Sequence, residues 1–138
     1  MSQAKNVELA KRGIDAFNRR DLDLVDELAN PDYEFFPALV GTIDGDSYQG
    51  REGLKRYFET VSDTWEELRL VGEEFRDVGN RVLWLGRLEG CGRGSGAPVD
   101  SPCAFIIELR AGKIERVRAY LDHDEALRAA GLSQESAG

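Results

Sequence analysis

Apolar residues recur three and four apart through the first half of the chain and at alternate positions through much of the second. Val7, Ala10, Ile14 and Phe17 form a helical stripe, with Lys11, Asp15 and Arg19 outside it. Asp21 is placed to cap a second short helix carrying Leu24, Val25 and Leu28, which Asn30-Pro31 stops. Residues 33–37 read as a strand ended by Pro37, and residues 40–47, rich in Gly and Asp, as a loop. A third helix follows Gly50, with Leu54, Tyr57, Phe58, Val61 and Trp65 on one face. The period then changes. Strands are predicted over 68–77, 81–93, 99–110 and 113–121, with a hairpin tip at Val78-Gly79-Asn80. Asp122 and Glu125 form a capping-box variant for a last helix that Gly131 ends. Helices first and a meander of strands afterwards is an α+β pattern, and residues 1–138 read as one domain.

Two turns set the expected register. A three-residue loop at 110–112 places Ile107 opposite Glu115 and Phe105 opposite Val117; another at 96–98 places Arg87 opposite Ile107, Glu89 opposite Phe105 and Cys91 opposite Cys103. On that register Arg87, Glu89, Cys103 and Phe105 share one face, while Trp84, Ile106, Arg116, Arg118 and Tyr120 share the other. Both faces carry apolar groups and so need two covers. A homodimer packing sheet on sheet is the expected second cover, with Trp84 and Tyr120 as anchors, Ile106 beside them, and Arg116 and Arg118 in polar contacts.

Composition narrows the chemistry. The 26 acidic and 18 basic residues give a net charge of −8, which disfavours nucleic acid and anionic membrane partners. A hydrophobic share of 41% with 32% charged is globular. No apolar run is long enough to span a bilayer, the first residues lack a signal-peptide core, and two cysteines make no disulfide scaffold. The expected setting is cytoplasmic, with reduced thiols. One His and two Cys show no metal-ligand spacing, and phosphate-loop and nucleophile-elbow motifs are absent, so neither metal nor cofactor is expected.

Several strings, in order, carry a resemblance: Ala16-Phe17-Asn18-Arg19-Arg20-Asp21-Leu22-Asp23, Asn30-Pro31-Asp32, Tyr48-Gln49-Gly50-Arg51-Glu52-Gly53-Leu54, Asp77-Val78-Gly79-Asn80-Arg81-Val82 and Gly112-Lys113-Ile114. Together they resemble the SnoaL-like branch of the nuclear transport factor 2-like superfamily. The resemblance implies a cone-shaped curved antiparallel sheet wrapped around the N-terminal helices, an internal pocket and a homodimer. It does not imply one activity. The catalytic positions of ketosteroid isomerases fall near Gly13, Phe36 and Ala104 or Phe105, none of which carries the group required. Arg87-Leu88-Glu89 is similar to the Arg-x-acid pair of limonene-epoxide-type hydrolases, but their last-strand aspartate falls near Ala119, as does that of the polyketide cyclases.

The expected function is therefore the binding of a small apolar molecule, with Arg87 and Glu89 as polar handle or acid–base pair on a carbonyl or epoxide. The alternative for that pair is a structural ion bridge. Tyr33, Phe35, Tyr57, Trp65, Cys103 and Phe105 are candidate pocket-lining residues that also serve as core. Cys91 and Cys103 read as two small buried hydrophobes or a cross-strand pair, and His123 as an exposed first-turn residue or half of a His–Asp pair. Gly90, Gly92, Gly94 and Gly96 lack dinucleotide-loop spacing and clear one side of a strand instead. A rival to pocket binding is a non-enzymatic assembly domain that works through its outer sheet face.

Overall fold

A computed structural model describes residues 2–37 and 48–131; the loop expected at 40–47 lies outside them. Among the described residues four helices and six strands follow in the order α1 (Ser2–Arg19), α2 (Leu22–Leu28), β1 (Ala29–Phe36), β2 (Tyr48–Gln49), α3 (Gly50–Thr64), β3 (Trp65–Val78), β4 (Arg81–Gly92), β5 (Pro98–Arg110), β6 (Lys113–Tyr120) and α4 (His123–Ala129). The strands form one curved, unclosed sheet in the order β2-β1-β6-β5-β4-β3. It is mixed, because β1 runs parallel to β6 while every other pair is antiparallel. The architecture is the expected α+β cone with a short C-terminal helix.

The helix starts follow their caps. Asp21 Oδ1 accepts from the Leu24 N–H at 3.1 Å, and Asp122 Oδ1 accepts from the Asp124 and Glu125 N–H groups at 2.8 and 3.3 Å. Between α1 and α2 the chain turns at Arg20, a non-glycine residue at φ 55°. That conformation costs about 1 kcal/mol or more for an L-residue, and the guanidinium offsets it. It donates to the Phe17 carbonyl at 2.7 Å and the Leu68 carbonyl at 2.8 Å, and lies over the Phe17 and Phe58 rings. Trp65, expected on the third helix, instead begins β3: its backbone is extended and its N–H closes α3 by donating to the Val61 carbonyl.

The register of β4 differs from expectation by an odd number, which exchanges its faces. Residues 93–97 form a five-residue connection, with Gly94 and Gly96 at φ 87° and 69°, so Arg87 opposes Pro102, Glu89 opposes Asp100 and Cys91 opposes Pro98. Val82, Trp84 and Leu88 thereby join Cys103, Phe105 and Ile107 on the helix-facing side. Trp84 is fully buried there. Its indole occupies a gap made by two glycines: a Cβ on Gly86 would lie 2.4 Å from the indole, and one on Gly72 would lie 2.8 Å from the Gly86 Cα. Gly72, at φ 141° in a bulge of β3, also turns its carbonyl to accept from Trp84 Nε1–H at 3.1 Å. Gly90 permits a second close approach, since a Cβ there would sit 2.0 Å from the Glu67 carbonyl oxygen.

The β5–β6 turn has two residues rather than three, Ala111 and Gly112, both at positive φ. A bulge between Glu108 and Leu109 adds a second step, so Phe105 opposes Ala119 and Ile107 opposes Val117. The two displacements sum to an even number, and the face assignment of β5 against β6 survives.

The second cover of the sheet comes from the chain itself. Leu83, Leu85, Ala104 and Ile106 on the outer face pack against Ala126, Leu127 and Ala130 at the C-terminal helix. His123, half-buried, places Nε2 at 2.9 Å from the Gly86 carbonyl and 3.2 Å from the Cys103 carbonyl, and Arg81 donates to the Ala130 carbonyl. The expected outer-face set is thus corrected. Trp84 is inside, Ile106 lies under α4, and Arg116, Arg118 and Tyr120 remain outside. Among the described residues no helix is long and apolar enough to cross a membrane.

Two predictions follow from this packing. Trp84→Ala is expected to destabilise the fold by about 3–5 kcal/mol in urea denaturation; a loss below about 1 kcal/mol would contradict a filled glycine gap. Cys91 and Cys103 stand five register steps apart, roughly 16 Å along the strand direction at about 3.3 Å per residue. Mild oxidation followed by non-reducing mass analysis should therefore show no intramolecular disulfide.

Candidate functional site

The cone interior is built by alternation on the strands and by the buried stripes of α1 and α3. Tyr33 and Phe35 of β1 point inward, as do Cys103 and Phe105 of β5, and they meet Phe17 of α1 with Tyr57 and Phe58 of α3. Phe17 is the hub, with ring centroids 5.8 Å from Phe35, 5.8 Å from Phe105 and 5.5 Å from Phe58. The Phe17–Phe58 and Phe17–Phe105 pairs are edge-to-face, the arrangement favoured by the ring quadrupoles.

Among the described residues, two cavities border this hub. The larger, about 60 Å³, lies between Ile14, Leu28, Tyr33, Leu54, Ile114 and Val117. The smaller, about 20 Å³, lies between Tyr57, Leu70, Leu88, Cys103, Ala119 and Leu121. Phe17, Phe35 and Phe105 border both and form the partition. The last-strand position that the family resemblance singled out, Ala119, therefore lines the smaller cavity with no ionisable group.

Five of the six predicted lining residues meet here: Tyr33, Phe35 and Phe105 at the larger cavity, and Phe35, Tyr57, Cys103 and Phe105 at the smaller. Trp65 does not. It borders a surface groove with Asn18, Arg20 and Val61, and its Nε1 is buried without a partner among the described residues. Arg87 and Glu89 are also elsewhere. The reversed face of β4 puts both on the outer side, where Arg87 pairs with Asp100 at 2.6 Å instead of presenting a charge to the interior. Both partners of that bridge are about half exposed, so it is worth little to stability. Phe17 and Phe58, absent from the predicted site, belong to it; their helical spacing marked them as core and gave no sign that voids adjoin them.

The titratable groups inside are held neutral. Burial pushes the Cys103 thiol up to about 12 and raises both tyrosine hydroxyls well above their ordinary range, with Asp26 adding to the effect at Tyr33. At neutral pH they are hydrogen-bonding groups rather than nucleophiles or bases. Glu34, which borders the larger cavity, engages Arg116 at 3.2 Å. Asp26 and Asp23 are both engaged by Arg51. Among the described residues no three His, Cys, Asp or Glu side chains converge as a metal site would require. The Tyr33 hydroxyl stands apart: it is buried and has no hydrogen-bond partner among the described residues.

A buried hydroxyl without a partner costs about 1–3 kcal/mol in lost hydration. Tyr33→Phe should consequently leave stability unchanged or raise it by up to about that amount, in contrast to the usual loss on removing a bonded tyrosine hydroxyl. A fall of more than about 1 kcal/mol in urea denaturation would show that the hydroxyl is satisfied in solution.

Comparison with known proteins agrees with this geometry. No curated protein matches the sequence. Among solved structures, a SnoaL-like polyketide cyclase homologue from Jannaschia sp. CCS1 is 22% identical, covers 93% of this chain and 92% of its own, and superposes with a TM-score of 0.74. TerC, crystallised with polyporic acid, is 23% identical over 92% of this chain and 98% of its own, at 0.74. A protein with a ketosteroid isomerase-like fold from Catenulispora acidiphila, in complex with trimethylamine, is 17% identical over 93% and 95%, at 0.71. At these identities the likeness is one of fold. The family model for the SnoaL-like domain matches residues 10–117, well over half of the sequence, and the chain belongs to that family.

Proposed function

We propose that this protein binds a small, uncharged, predominantly apolar molecule inside the cone. The observation that carries the reading is the pair of apolar cavities parted by Phe17, Phe35 and Phe105. Close-packed interiors leave few voids larger than a water, so the larger of the two, at the centre of a curved sheet, favours a ligand. The presence of polyporic acid in one structural relative and trimethylamine in another supports small-molecule binding by this fold. The cavities are small for the class, since ligand pockets usually enclose about 300–1,000 Å³.

Binding, rather than acid–base catalysis through Arg87 and Glu89, is the function this arrangement favours, because the Arg87–Asp100 pair lies on the opposite side of the sheet. Two free thiols fit a cytoplasmic setting. The outer face beyond α4 carries Glu34, Glu108, Arg116 and Arg118, an alternation of charge that suits pairing with a second copy.

Xenon under pressure tests the reading, since it enters dry apolar cavities. Methyl resonances of Ile114 and Val117 at the larger cavity, and of Leu88 and Leu121 at the smaller, are expected to shift in a saturable manner. Unmoved methyls at both cavities would overturn the proposal.

A further inference from the structure

We infer that Gly13 is the specificity-determining residue of the larger cavity: by leaving out a side chain inside α1, it admits a compact hydrocarbon group of a few carbons that carries no polar atom. This rests on the binding function proposed above and specifies both the ligand class and the residue that makes room for it.

Gly13 lies in the interior of the 18-residue helix α1 and borders the cavity. Its φ is not in the left-handed region, so the backbone conformation does not call for a glycine. An interior helical glycine costs stability relative to alanine, because a freer unfolded backbone has to be ordered. The space around it supplies the reason for its presence. A Cβ at this position would stand 3.1 Å from Ile114 Cδ1, tighter than ordinary contact, and outside its own stretch of helix it would meet no other atom of the described residues within 4 Å. Ile114 lines the same cavity. An alanine methyl would therefore take up open space beside the void and press on the end of a flexible side chain. In a close-packed interior that end yields toward the void, so both changes shrink the room left for a guest.

The wall sets the chemistry of the guest. It is dominated by aliphatic and aromatic side chains, including Leu28, Leu54, Phe58 and Val117. Glu34 at its border is engaged by Arg116 at 3.2 Å, and the Tyr33 hydroxyl, with less than 1 Å² of accessible surface, offers a guest no bond. A carbonyl or hydroxyl entering here would give up its hydrogen bonds to water without replacement. The volume of about 60 Å³ limits the guest to a few carbons, since a cavity of roughly 150 Å³ takes benzene.

The test uses the full chain with 2-methylpropene and acetone, two molecules of the same shape that differ by a terminal CH2 against an oxygen. Each is titrated while the Leu54 and Val117 methyl resonances are followed. Wild type should bind the alkene at least about tenfold more tightly than acetone. Gly13→Ala should raise the folding equilibrium constant about two- to fivefold in urea denaturation, as a helix-interior alanine does. The same variant should bind the alkene at least about tenfold more weakly, because the void is overfilled. Ile114→Val removes Cδ1 and should bind the alkene at least as tightly as wild type, and the Gly13→Ala/Ile114→Val double variant should regain the lost affinity. Alkene binding by Gly13→Ala equal to that of wild type would overturn the role of Gly13 while leaving the cavity a binding site. A loss that Ile114→Val does not restore would overturn it too, since a general disturbance of α1 gives that result. Acetone binding as tight as the alkene would overturn the ligand class. No response of wild type to either probe would overturn this inference alone if the xenon shifts are present, and the function beneath it as well if they are absent.

Discussion

The indole of Trp84 sits in a space that only glycines at 72 and 86 leave open, and its N–H is bonded to the Gly72 carbonyl. That seat pins β4 against β3 at a bulge and commits the even-numbered residues of β4 to the helix-facing side. Moving β4 by one position would turn Trp84 out toward α4 and bring Arg87 and Glu89 into the apolar interior, where unpaired charge is strongly disfavoured. The faces of the sheet and the identity of the groups lining its cavities both depend on this seat.

Covering both sides of such a sheet is the second requirement. Helices α1 and α3 fill the concave side with aromatic rings, and α4 closes over Leu83, Leu85, Ala104 and Ile106 on the other. The junctions are held by polar groups that satisfy backbone carbonyls: Arg20 at the turn after α1, His123 at the start of α4, and Arg81 at its end. What remains of the outer face is charged rather than apolar, with Arg116 bridging Glu34 and Glu108. The interior therefore contains neutral phenols and a neutral thiol, while most of the net charge of −8 stays at the surface.

Helix existence, the capped helix starts and the β3–β4 turn were readable from residues alone, because each depends on neighbours a few positions away. The stripe through Ala10, Ile14 and Phe17, the caps at Asp21 and Asp122, and the hairpin at Gly79-Asn80 all appear in the structure. The family was readable too, from short strings spread across the chain in order. The inward residues Tyr33, Phe35, Tyr57, Cys103 and Phe105 were readable as apolar alternation, though nothing local distinguishes a core residue from one that borders a void.

Tertiary structure decided the register of β4 and, with it, the nature of the site. Val82 and Trp84 compete with Leu83 and Leu85 for the interior, so a period of two gives no preference between the faces, and a five-residue connection replaced the expected three. At β5–β6 a shorter turn and a bulge offset each other, a cancellation that pairing across the whole ladder settles. The unbonded Tyr33 hydroxyl is likewise a property of packing. Sequence determines that a tyrosine is present and faces inward; whether a partner reaches its oxygen depends on side chains brought together from α1, α2, α3 and β6.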